Sequence, residues 1–382
     1  MAVSDANKNF PLNYAASAVR ALQPYVPGKP LDELEREYGI RNAVKLASNE
    51  NPAGPSPMVL QAVEAAAKTI NRYPDGAGFQ LKKSLAEHLG VEPRQLTLGN
   101  GSNDILVLLA EAFLTAATNA VFSEYAFVVY PLAVQATSAE SRVVAANGVE
   151  HRQALGHDLN AMLTAIDEST RLVFIANPNN PTGTWLEPDA LYAFLKKVPS
   201  TTVVVLDEAY CEYIGAQAVR MSLAWLSEFP NLVVTRTFSK IYGLAGLRIG
   251  YSVSSPEVAE LLNRIRQPFN INSIALAAAE AALLDQSYIE ASRKANSEGL
   301  AFLTEGVASI AGVRVIPSQG NFVLIDLGRP ALPVYDALLH AGIIVRPVGN
   351  YGLPNHLRVT AGSAVENTTF LTAFSTALDN LV

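Results

Sequence analysis

Apolar, β-branched runs punctuate the middle of the chain, and each one stops at a polar, turn-rich stretch. Leu172-Val-Phe-Ile-Ala176 gives way to Asn177-Pro-Asn-Asn-Pro-Thr-Gly183. Thr201-Thr-Val-Val-Val-Leu206 leads into Asp207-Glu-Ala-Tyr210, and Leu232-Val-Val-Thr235 into a stretch of polar and small residues. Continuous apolar runs, unlike alternating ones, predict strands covered on both faces, as in a parallel sheet. Helical patterns lie between them; Pro188 to Val198 has proline near its start and acidic residues in its first turn. Strands alternating with helices predict a doubly wound α/β domain. Ligands of such sheets bind beyond the carboxyl ends of the strands, so the three polar stretches are expected to converge on one site.

From about Asp285 the pattern changes. A long helical stretch, Ser287 to Ala311, precedes short apolar runs at Val313–Ile316, Asn321–Ile325, Ile343–Arg346 and Leu357–Thr360, with helices near Pro333–Ala341 and at the end of the chain. This predicts a smaller α+β domain. At the other end, Pro24, Pro27 and Pro30 suggest an extended arm. The expected organisation is an N-terminal arm over 1–45, packing partly with the small domain, a large domain over 46–285 and a small C-terminal domain over 286–382.

The 382 residues, 49% apolar and 16% charged, suit a packed protein of more than one domain. A net charge of −7 argues against a nucleic-acid or anionic-membrane partner, which would want a basic face. No run of about 18 apolar residues predicts a membrane span, and Met1 to Pro11 lacks an apolar signal core. Cys211 is the sole cysteine, which fits a reducing compartment and hence the cytoplasm. The five histidines lack metal-ligand spacing, so no metal is expected.

The chemistry gathers at the strand ends. Thr237-Phe-Ser-Lys-Ile-Tyr-Gly-Leu-Ala-Gly-Leu-Arg248 places Lys240 beside a hydroxyl, Ser239, and a few residues before a cation, Arg248. This suits a lysine that forms a Schiff base, with neighbours able to hold a phosphate, as pyridoxal phosphate requires. Asp207 is the candidate partner of a pyridine nitrogen, whose protonation makes the ring an electron sink. Tyr210 and Asn180, the latter in a tight Asn-Pro-Thr-Gly turn, are candidate partners of the ring oxygen. Gly99-Asn-Gly-Ser-Asn-Asp104 opens an apolar helical run, so Ser102 and Asn103 are candidate phosphate contacts at a helix N-terminus. The dinucleotide fingerprint fails there, because aspartate replaces its third glycine. Tyr125 is a candidate for stacking on the ring face.

In order and spacing, Gly99–Asp104, Asn180, Asp207, Tyr210, Ser239-Lys240 and Arg248 resemble the fold-type I pyridoxal-phosphate aminotransferases. Further motifs resemble the histidinol-phosphate aminotransferases within that group: Pro24-Tyr-Val-Pro-Gly-Lys-Pro30, Lys45-Leu-Ala-Ser-Asn-Glu-Asn-Pro52, Arg72-Tyr-Pro-Asp75 and Leu357-Arg-Val-Thr360. The resemblance implies a large cofactor-binding domain and a homodimer with Tyr73 reaching the neighbouring site. It also implies that Arg346 and Arg358, with Tyr25 and Asn49 nearby, receive the anionic end of the substrate. The implied reaction is amino transfer between glutamate and imidazole acetol phosphate. An aromatic amino acid aminotransferase, a decarboxylase of a phosphorylated amino acid and a non-catalytic ligand sensor are the alternatives. Two departures stand out: the usual Asn-Pro-Tyr-Gly reads Asn51-Pro-Ala-Gly54, and the usual acidic residue of the phosphate cup is Asn103. The first is expected to remove an aromatic wall near the substrate.

Overall fold

A computed structural model describes residues 12–24 and 28–381. Strand β1 (Val44–Lys45) stands apart from the main sheet, which takes the next seven strands. These are β2 (Leu96–Gly99), β3 (Asn119–Ser123), β4 (Glu140–Val144), β5 (Thr170–Ala176), β6 (Val203–Asp207), β7 (Leu232–Thr237) and β8 (Gly250–Val253). Their order across the sheet is β2-β8-β7-β6-β5-β3-β4. All neighbours are parallel except β8, which runs antiparallel to both β2 and β7.

Successive residues of the central strands feed two different cores. Val173, Ile175, Val204, Leu206, Leu232 and Val234 belong to one. Leu172, Phe174, Val203, Val205 and Val233 belong to the other. Helix Pro188–Leu195 covers the first face with Leu191 and Phe194, and helix Ser102–Phe113 covers the second with Ile105 and Leu109. The sheet is therefore wound on both faces, which is why its strands read as unbroken apolar runs.

The C-terminal part holds β9 (Arg314–Ile316), β10 (Phe322–Asp326), β11 (Ile343–Ile344), β12 (Arg346–Pro347) and β13 (His356–Thr360). An antiparallel sheet of order β12-β13-β10-β9 packs on a third core with Leu303 and Val307 of the long helix Gln286–Ala308 and Phe370 and Phe374 of the final helix. Strand β1 pairs in parallel with β11, and Leu46 joins this C-terminal core. The expected extended arm is partly helical: Leu31–Tyr38 forms a helix that stops at Gly39 in the left-handed conformation. Its Leu34 is buried with Ala47, Leu339 and Ile344.

Candidate active site

Parallel register brings the carboxyl ends of β5, β6 and β7 side by side: Ala176 pairs with Asp207, and Asp207 with Thr235. After β5 the chain turns through two cis peptide bonds, Asn177-Pro178 and Asn180-Pro181. Asn177 braces this turn by donating from Nδ2 to the Leu186 carbonyl (3.1 Å) and accepting from the Leu186 N–H (2.7 Å). Asn179 Nδ2 donates to Thr182 Oγ1 (2.8 Å) and to the Tyr125 carbonyl (2.9 Å). The bracing leaves Asn180 facing a cavity of about 190 Å³ together with Asp207, Tyr210, Ser239, Lys240 and Arg248. Ser102 and Asn103 line the same cavity, as do Asn49 and Arg358.

Asp207 is buried, with its carboxylate accepting from Tyr130 Oη (2.9 Å) and Thr235 Oγ1 (3.2 Å). Burial raises its pKa to about 6, against the pull of those two hydroxyls. The partly buried Lys240 donates from Nζ to the Ser48 carbonyl (3.1 Å) and lies 5.6 Å from the Tyr210 ring centre. Burial, then the nearby Arg358 guanidinium, lowers its pKa from 10.5 to about 7. A large neutral fraction at physiological pH makes this amine a nucleophile and a base. Tyr210 accepts from Asn49 Nδ2 (2.9 Å), and burial pushes its hydroxyl up to about 12, so it remains a proton donor.

The other end of the cavity could hold an anion. Ser102 opens a 12-residue helix, whose N-terminal N–H groups and dipole favour an anion. Arg248 Nη1 donates to Ser239 Oγ (3.3 Å) and to the Ala245 carbonyl (3.0 Å). A Cβ at Gly101 would lie 2.4 Å from Arg248 Nη2, and one at Gly250 would lie 2.4 Å from the Ser102 nitrogen. Only glycine lets these three segments close around an anion. Asp104 turns away, accepting from the Asn100 N–H and Asn270 Nδ2, so Asn103 faces the cup.

Arg358 is buried, donating from Nη1 to Asn180 Oδ1 and from Nη2 to the Ala47 carbonyl. Arg346 does not line the cavity but lies directly across from Arg358 in the β12–β13 register. Tyr73 lies outside the cavity, 84% exposed and stacked on Phe269 at 4.8 Å. Tyr25 falls outside the described residues.

Two expectations are corrected. The cavity wall carries Phe127, not Tyr125, which packs beside Tyr351 against Leu155, Leu324 and Leu353. Ala53 lines a second cleft and not the cavity of Lys240, so no wall of the first is missing through it. Sequence reasoning also passed over Tyr130, Thr235 and Ser48. Only Phe127 had a local signal, as an aromatic two residues beyond the one chosen.

A nucleophilic lysine, a buried strand-end carboxylate and a phosphate cup at a helix start fit pyridoxal phosphate, and with this fold they define an aminotransferase that uses it. The pattern of the family "Aminotransferase class I and II" matches residues 41–374, and the chain belongs to that family. It is 56% identical over 364 residues to "Histidinol-phosphate aminotransferase 2" of Methylococcus capsulatus, covering 95% of this chain and 98% of that one. The protein of the same name from Pseudomonas aeruginosa is also 56% identical, with 96% and 98% covered. The crystal structure of histidinol-phosphate aminotransferase from Sinorhizobium meliloti in complex with pyridoxal-5'-phosphate superposes with a TM-score of 0.88 at 31% identity, covering 96% of this chain and 98% of that one. Among the described residues no helix is long and apolar enough to cross a membrane.

Proposed function

We propose that this enzyme moves an amino group between L-glutamate/2-oxoglutarate and histidinol phosphate/imidazole acetol phosphate, a step of histidine biosynthesis. The observation that carries the reading is Arg358, a buried guanidinium fixed at the cavity of Lys240 and flanked across the sheet by Arg346. A buried guanidinium at the cavity suits a carboxylate or a phosphate of the substrate. The relatives at 56% identity carry the name of this activity.

When bound, pyridoxal phosphate supplies an electron sink and a carrier for the amino group. Ser102, Asn103, Ser239 and Arg248 would hold its phosphate, Asn180 and Tyr210 its ring oxygen, Asp207 its ring nitrogen, and Phe127 its ring face. Lys240 Nζ takes the proton from the substrate's Cα and delivers it within the cavity, a transfer its depressed pKa favours. Asn49 orients Tyr210 through its 2.9 Å hydrogen bond. The active unit is a cytoplasmic homodimer in which the exposed Tyr73 reaches the neighbouring site.

The test is the visible absorbance of the cofactor-loaded enzyme, with histidinol phosphate in one cuvette and phenylalanine in another. Bleaching at low concentration by histidinol phosphate alone is expected. Equal or better bleaching by phenylalanine would replace this reading with an aromatic amino acid aminotransferase.

A further inference from the structure

Asn49 has a backbone φ of +56° and is buried. Asparagine tolerates the left-handed region better than most residues, yet the conformation persists only where its surroundings enforce it. Two buried side chains from the C-terminal part of the chain do so here, Thr360 and Asn321.

Strand β13 supplies the first. Alternate residues of a strand face the same side, and Arg358 and Thr360 both meet the segment that leads to Asn49. The Thr360 N–H donates to the Leu46 carbonyl (2.8 Å), and Arg358 Nη2 donates to the Ala47 carbonyl. Thr360 Oγ1 accepts from the Asn49 N–H (3.0 Å). Asn321, just before β10, donates from Nδ2 to the Asn49 carbonyl (3.0 Å). The Ala361 N–H donates to the Asn321 carbonyl (2.9 Å), which fixes the two clamps to each other. Side chains thus serve both backbone polar groups of Asn49.

The turn held in this way meets the reacting groups. The Ser48 carbonyl accepts from Lys240 Nζ (3.1 Å), and Asn49 Nδ2 donates to Tyr210 Oη (2.9 Å). The Thr360 hydroxyl also donates to Asn49 Oδ1 (3.2 Å), which leaves the amide nitrogen to face Tyr210. Tyr210 therefore accepts, and its own proton remains available for donation. An amide turned the other way would present its oxygen to Tyr210 and take that proton. Each donation along such a chain also strengthens the next donor. Thr360 does not line the cavity, so it acts there through Asn49.

We propose that Thr360 is a positioning residue: its hydroxyl holds the Asn49 turn and aims the Asn49 amide, so that the Tyr210 proton is kept for the cofactor's ring oxygen. Its role rests on the one proposed above for Tyr210, whatever the substrate. The measurement is the pH midpoint of the visible absorbance change of the cofactor-loaded enzyme. A hydroxyl donating to the ring oxygen stabilises its anion, which lowers the proton affinity of the link between lysine and cofactor. Tyr210→Phe is expected to raise the midpoint by about one unit. Thr360→Val, similar in shape but without the hydroxyl, is expected to raise it by about half a unit, and Thr360→Ser to leave it at the wild-type value. Asn49→Gly takes up the left-handed turn without strain, so it should fold even where Thr360→Val does not, and it is expected to raise the midpoint by a similar amount. In a Tyr210→Phe background Thr360→Val should add nothing. Asp207, Arg358 and Lys240, the charged groups around Tyr210, are kept in every variant. With Tyr210→Phe shifted, an unmoved midpoint in Asn49→Gly or in folded Thr360→Val would overturn the positioning role. So would a shift that serine fails to restore, or one that adds in full to that of Tyr210→Phe. An unmoved midpoint in Tyr210→Phe itself would overturn the role of Tyr210, and that of Thr360 with it.

Discussion

At the scale of single residues, two titrations govern the site. In the cofactor-free protein Lys240 titrates near 7, against an ordinary 10.5. Between those values the unfolded chain holds the extra proton, so stability rises as pH rises through that window. Thermal unfolding of Lys240→Ala across the same pH range is expected to lack this gain, and the variant should fold yet give no turnover. Asp207 behaves in the opposite sense: burial raises its pKa to about 6, and the Tyr130 and Thr235 hydroxyls pull against that rise. Tyr130→Phe removes one of them from a ring that stacks on Phe174 at 4.8 Å, so the fold should persist. The acid limb of cofactor binding, followed by absorbance, is expected to move up by about one unit. Lys240, Arg248, Asp207 and Asn180, which line one cavity, were legible as candidates because they sit in three motifs that follow strands. Tyr130 was not, because it meets Asp207 only through the packing of the helix Val129–Ala136 on the sheet.

At the scale of elements, the phosphate cup depends on a close approach of three segments. Gly101 has φ of +81° and abuts Arg248 Nη2. Gly101→Ala adds left-handed strain of about 1 kcal/mol or more and displaces the guanidinium. Equilibrium dialysis should show weakened cofactor binding, with activity partly regained at high cofactor concentration. Strands β5, β6 and β7 were readable from their apolar runs, but not β3 and β4 or the reversal at β8. An apolar run carries no sign of direction, and the intervening segment holds only a single 3-10 turn, Ala245–Leu247, before Arg248. Two-residue strands such as β1 and β11 are too short for any periodicity. Leu31–Tyr38 was hidden for a different cause: its residues are mostly charged and follow three prolines, yet Pro30 occupies the N-cap, where proline does no harm.

At the scale of the whole molecule, the exposed Tyr73 and Phe269 pair is the test of assembly. Tyr73→Phe alters only a surface hydroxyl of the single chain, so the unfolding midpoint should hardly move. If Tyr73 serves the neighbouring site, cofactor affinity should fall all the same, while sedimentation still reports a dimer. Unchanged affinity would count against the shared site. The placement of β8 has one more consequence, which concerns time. Its antiparallel pairing sets Leu96 against Val253 and Gly99 against Gly250, so the cup joins segments made far apart during synthesis. Closing so long a loop is slow relative to local helix formation. A growing chain therefore acquires most of its helices before it can retain a cofactor. Competence for the cofactor arrives only when the return strand is threaded between β2 and β7.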